Sequence, residues 1–349
     1  MARIIVIPDF ESMCSVLPNG GVNPHHDEAF TEARCWIAQY HNSDFGPNMT
    51  AFMESCKFEL AGSYTYPHLD KYGLRATMDW LNILWFFDEV TDTETGKDAR
   101  RSADIVCHTL RDSEYNDGTS LCRMITDFRI DHLSRAGPET TRRFLNHCDD
   151  MFSAVAREAG FREQGTVLSV EEYLVHRKET SGVRVCYDMA EFCIGIDLPG
   201  AIYDMEDFRK GYEASLDFVC LSNDLFSYNA EQSKGHSGFN ILTVLIKAKS
   251  IELQEAADYV GSLCTNLLTE FRESQQVIEE CARTAKDEAS ANTFRDALCV
   301  LEAYGHWVRG GIEWSFESER YFGKENKMVR KSLTVVLSQA DSVSRPLHS

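Results

Sequence analysis

The stretch LRATMDWLNILWFFDEVTD, residues 74–92, decides the fold class. Leu74, Met78, Leu81, Trp85, Asp88 and Asp92 recur at alternating steps of four and three, which sets them along one face of an α-helix. The apolar first part of that face belongs against a core. Its last two members are carboxylates, with Glu89 beside them. Carboxylates at the inner rim of a core are costly to leave unpaired. A helix C-terminus also opposes negative charge through its macrodipole. A positive partner is therefore required. Arg100 and Arg101 lie too far along the chain to be obvious partners, whereas Mg²⁺, which prefers oxygen ligands, would serve. Taken alone, a D-x-x-x-D pair also fits a solvated acidic helix end.

A second string, NDLFSYNAE at Asn223–Glu231, is more specific. Asn223, Ser227 and Glu231 fall on successive turns of one helix face, and Leu216 and Cys220 precede them on the same stripe. An amide oxygen, a hydroxyl and a carboxylate form a hard-oxygen set suited to Mg²⁺ and poor for zinc. Asp224 falls elsewhere on the helix and is expected to pair locally. Four fixed residues in this spacing should match by chance in well under ~1% of chains of this length.

Around these strings the 349-residue chain reads as helical. No proline interrupts the runs from Pro67 to Pro138, Pro138 to Pro199 and Pro199 to Pro346. Apolar periodicity predicts helices over 28–40, 49–60, 68–90, 98–111, 119–135 and 139–159, then over 170–177, 185–196, 206–231, 240–247, 251–283 and 289–314. Ser169 and Glu172 form a capping box at the start of one of them. Breaks are expected at Asn19-Gly20-Gly21, Ala136-Gly137-Pro138, Leu198-Pro199-Gly200 and Gly235–Gly238. No linker divides the pattern, so residues 1–332 are expected to form one all-α domain. The tail, 333–349, loses the pattern and is expected to be disordered.

The formal net charge of −20 argues against nucleic acid or an anionic membrane as the main partner. An acidic protein that binds an anion needs cations between the two. The twelve cysteines are scattered, without zinc spacing, and fit a reduced compartment. The start MARIIVIPDFES does not read as a signal peptide, and no run is long enough to span a bilayer. A cytoplasmic protein is expected.

The two strings resemble the motifs of class I terpene synthases, most closely the fungal sesquiterpene cyclases. Asp88-Glu89-x-x-Asp92 looks like a variant of that family's aspartate-rich motif, with Glu89 where many members carry a second aspartate. Asn223, Ser227 and Glu231 match its N-S-E triad. The resemblance implies an all-α class I terpenoid synthase bundle around a central active-site cavity. It also implies three Mg²⁺ ions held by Asp88, Glu89, Asp92, Asn223, Ser227 and Glu231. Arg177 in RKETSG looks like the diphosphate-sensing arginine, Thr180 the linker and Ser181 the effector whose backbone carbonyl faces the reacting carbon. Lys234 follows the triad as a basic residue does in the family, and Arg320-Tyr321 resembles its C-terminal pair. With Asn223, these residues would bind the diphosphate. NPHHDEAF and HWVRGGIEWSFESERYFG also look like the fungal members.

The activity implied is ionisation of farnesyl diphosphate and cyclisation of the carbocation to a sesquiterpene, with Trp85, Trp307 and Trp314 presenting aromatic faces to the cation. Closure of the Gly235–Gly238 segment over the diphosphate would exclude water. The same scaffold could quench the cation with water to give an acyclic alcohol such as nerolidol or linalool. A chain-elongating prenyltransferase would carry a second aspartate-rich motif, and NDLFSYNAE stands there instead. A non-catalytic helical protein would need no metal ligands on core-facing stripes. The resemblance leaves a homodimer open.

Overall fold

The structure, a computed structural model, describes residues 3–44, 54–91, 94–234 and 237–338. A strand, β1 (Ile4–Val6), and a short helix, α1 (Phe10–Met13), open the chain. There follow α2 (His26–Asp44), α3 (Phe58–Thr65), α4 (Lys71–Thr91), α5 (Gly96–Arg111), α6 (Ser120–Asp131) and α7 (Pro138–Gln164). Next come α8 (Val170–Thr180), α9 (Val183–Cys193), α10 (Gly200–Asp204) and α11 (Glu206–Lys234). The fold is completed by α12 (Ile241–Lys249), α13 (Leu253–Thr284), α14 (Glu288–Glu317), α15 (Asn326–Ser332) and β2 (Thr334–Val336).

Local chemistry explains the boundaries. Thr95, Thr119 and Asp287 cap their helices by accepting from Asp98 N, Cys122 N and Ser290 N. Ser169 and Glu172 form the expected reciprocal box at the start of α8. Pro138 sits in the first turn of α7, where no intrahelical donor is lost, and Gly165 closes that helix in the left-handed region.

The helices pack around a cavity rather than around one solid core. α11 lies against α13 and α14, α5 against α7, and α3 against α4 and α14. Two large apolar clusters form its walls. One is built on Phe58, Tyr187, Phe218 and Tyr304, the other on Trp80, Phe87, Phe128 and Phe152. Gly310 allows the close meeting of α14 and α3: a Cβ there would lie 2.3 Å from the Tyr64 carbonyl oxygen.

The tail differs from expectation. β2 pairs antiparallel with β1, with Ile4 opposite Val336, and Val335 and Leu337 are buried. Residues 333–338 therefore pack with the body, and the rest of the expected tail, 339–349, lies outside the described residues. Alternation over three residues is too short to register as a strand in the sequence; its partner near the start supplies the order.

Candidate active site

α4 delivers the first motif as its periodicity requires. Leu74, Met78 and Leu81 are buried, and Trp85 turns toward the cavity, stacked on Phe58 with ring centroids 4.3 Å apart. Asp88 lines the cavity with its side chain 47% exposed, while Glu89 is 13% exposed. Asp92 lies outside the described residues.

The positive partner of this motif comes from far along the chain. Arg320 Nη1 donates to Glu89 Oε1 at 2.6 Å, and Arg320 Nη2 lies 3.6 Å from Asp88 Oδ2. Arg162 Nη2 donates to the Thr91 carbonyl at 3.1 Å, placing a cation at the C-terminus of α4. Local sequence offered only Arg100 and Arg101, and packing brings the two distant arginines instead.

α11 supplies the second set. Asn223, Ser227 and Glu231 line the same cavity. Asn223 is gripped from both sides: its Oδ1 accepts from Arg177 Nη2 at 2.8 Å, and its Nδ2 donates to the Tyr321 hydroxyl at 2.6 Å. Burial, and then the charge of Asp224, pushes the Glu231 carboxyl up to about 7. Lys234 is the last residue of α11, and its side chain lies outside the described part, as do Gly235 and His236.

Asp224 departs from the expected local pairing. It is buried, takes Arg177 Nε at 2.8 Å, accepts from the Tyr173 hydroxyl and receives Ile241 N at 3.1 Å. It lies off the triad stripe, as its helical register requires, and its partners come from α8 and α12. Arg177, Thr180, Ser181 and Gly182 all line the cavity. Gly182 has a φ of 71° and breaks the chain between α8 and α9. A glycine between two helical patterns was the available signal for it.

Much of the remaining wall is apolar. Leu84, Met151, Val183, Val219, Val308 and Ile312 surround a volume of about 390 Å³, together with Trp85, Trp307 and Trp314. The Trp314 indole N–H donates to the Cys56 and Lys57 carbonyls at 2.9 and 3.0 Å, so its ring is fixed. Phe58, not singled out from the sequence, backs both Trp85 and Trp314.

The donor set fits a hard divalent cation. Side-chain oxygens of Asp88, Asn223, Ser227 and Glu231 line one cavity, and the Glu231 carboxyl feels the charge of the buried Asp224. Among the described residues no cluster of three or more His, Cys, Asp or Glu forms a metal site. The oxygens instead arrive from two helices.

Residues 79–270, more than half of the chain, match the terpene synthase family 2, C-terminal metal-binding family. The chain is 57% identical over 342 residues to viridiflorene synthase Agr2 of Cyclocybe aegerita, covering 98% of this chain and 88% of that one. It is 44% identical over 331 residues to a sesquiterpene synthase of Piloderma croceum, covering 95% and 94%. Among solved structures, α-eudesmol synthase superposes with a TM-score of 0.74 at 21% identity, covering 85% of this chain and 96% of that one, which reflects the shared fold. The chain belongs to the terpene synthase family. It is an all-α enzyme of the class I terpenoid synthase fold.

Proposed function

We propose that this chain is a Mg²⁺-dependent sesquiterpene synthase that ionises farnesyl diphosphate and cyclises the carbocation, releasing diphosphate. One observation carries the reading. Arg320 meets Glu89 and Asp88, and Arg177 and Tyr321 both meet Asn223, beside one cavity whose lining is otherwise largely aliphatic and aromatic. The C15 substrate follows the relatives, several of which are named sesquiterpene synthases.

Three Mg²⁺, held by Asp88, Glu89 and Asp92 on one side and Asn223, Ser227 and Glu231 on the other, would neutralise the leaving diphosphate. Arg177, Lys234, Arg320 and the Tyr321 hydroxyl donate to its oxygens, with Asn223 positioned between Arg177 and Tyr321. Thr180 links the sensor Arg177 to Ser181, whose backbone carbonyl faces the reacting carbon. Gly182 permits the break that exposes this segment. Trp85, Trp307 and Trp314 offer π-faces to the cation and no nucleophile to trap it. The apolar wall keeps water from the cation.

All twelve cysteines are free thiols, which supports a cytosolic setting. No helix among the described residues is long and apolar enough to cross a membrane.

The test is incubation of purified protein with geranyl, farnesyl and geranylgeranyl diphosphates plus Mg²⁺, followed by gas chromatography of the hydrocarbon layer. A cyclic C15 product from farnesyl diphosphate is expected. Absence of terpene from all three overturns the reading.

A further inference from the structure

Asn240 begins α12 and has no exposed surface. Its side chain makes three hydrogen bonds in three directions. Nδ2 donates to the Asp224 carbonyl at 2.7 Å and to Glu231 Oε2 at 3.0 Å. Oδ1 accepts from Leu242 N at 3.0 Å, capping α12. The preceding amide in that turn, Ile241 N, donates to the Asp224 side chain, which also holds Arg177. One amide group therefore ties the last turns of α11 to the first turn of α12.

The chemistry of this arrangement is selective. A cap requires only an acceptor, which Ser, Thr or Asp also provides. Contact with Glu231 and with the Asp224 carbonyl requires a donor on the same side chain, which among short cap residues only Asn offers in this fork. The group it touches is the carboxylate of the triad. An outer partner that fixes a ligating carboxylate leaves the second carboxylate oxygen free to face the cavity.

We propose that Asn240 is a positioning residue: it orients the Glu231 carboxylate for its cation and links cation binding to the N-terminus of α12. This rests on the reading of Glu231 as a metal ligand.

The test separates the cap from the positioning role. Asn240→Ser keeps an acceptor for Leu242 N and removes the amide that reaches Glu231. Isothermal titration of Mg²⁺ in the presence of inorganic pyrophosphate, with the wild type, Asn240→Ser and Glu231→Gln, gives the affinity without turnover. The expected result is that Asn240→Ser weakens the apparent Mg²⁺ affinity by about 10–100-fold while its far-ultraviolet circular dichroism is retained. Wild-type affinity in Asn240→Ser, with loss in Glu231→Gln, overturns the role of Asn240 alone. Wild-type affinity in Glu231→Gln overturns the metal reading itself. If Asn240→Ser does not fold, hydrogen exchange on the wild type decides. Mg²⁺ with pyrophosphate is expected to slow exchange of the Leu242 amide several-fold, and an unchanged rate overturns the link.

Discussion

Arg320 and Glu89 are joined by a 2.6 Å hydrogen bond across 231 positions of sequence. The same guanidinium lies 5.1 Å from the centroid of Trp85 and 5.8 Å from that of Phe58. One cation thus touches the first acidic motif and the aromatic wall together. The charge that settles Asp88 and Glu89 in this structure is also the one assigned to the diphosphate.

Arg320→Ala removes a preorganised donor from the leaving group. Loss of one such donor lowers kcat by about 10²–10³. Steady-state product formation from farnesyl diphosphate measures it, together with a weaker inhibition by inorganic pyrophosphate. A variant with wild-type kcat would remove Arg320 from the site.

Asn223→Ala and Glu231→Ala should each abolish turnover and leave the helical circular-dichroism spectrum intact. Chelation by EDTA should do the same to the wild type, with recovery on adding Mg²⁺. Retained activity in either variant would move the metal site elsewhere.

Asp224→Ala should be a stability variant as well as a catalytic one. It strips the half-buried Arg177 of its carboxylate partner and leaves the Tyr173 hydroxyl and Ile241 N without an acceptor that they now share. Breaking a buried pair in this way costs about 3–5 kcal/mol, read as a lower urea midpoint. A midpoint equal to that of the wild type would show that Arg177 finds another anion.

Gly311 lines the cavity, and a Cβ placed there meets no atom within 4 Å. Gly311→Ala should therefore raise stability by up to about 1 kcal/mol, the helix-propensity gain, and shift the product distribution seen by gas chromatography. An unchanged product pattern would place Gly311 away from the bound chain.

Acid should destabilise the fold through His306. Burial first, then the charges of His68 and Arg309, pulls its imidazole down from 6.5 to about 4. Its ring meets His68 edge-on with centroids 4.7 Å apart. The folded state thus holds it neutral while the unfolded chain takes up a proton near pH 6.5. The contribution is complete above pH 6.5 and is lost as pH falls through 4. Urea midpoints of the wild type should drop more steeply over that window than those of His306→Asn. Parallel curves would exclude the residue.

Helix existence was legible because long apolar stripes have a fixed period, and α4, α7, α11, α13 and α14 lie where periodicity placed them. The triad was legible for the same reason, since Asn223, Ser227 and Glu231 share one stripe. The partners were not. Arg320 for Glu89, Arg162 for Thr91 and Asn240 for Glu231 are set by packing between separate helices, which leaves no local pattern. Phe58 escaped notice because an aromatic in an apolar run looks the same whether it fills a core or backs a cavity wall.

The β1–β2 pairing has a consequence for topology. With Ile4 opposite Val336, the first and last described residues lie side by side, and Ser338 is tied to Asn229 and Gln232 on α11. A short linker could join them, and new ends could be opened in the exposed turn around Asn116–Gly118, where the backbone is held mainly by its own side chains. Such a circular permutant would leave every cavity-lining helix uncut, because no lining residue falls in that turn.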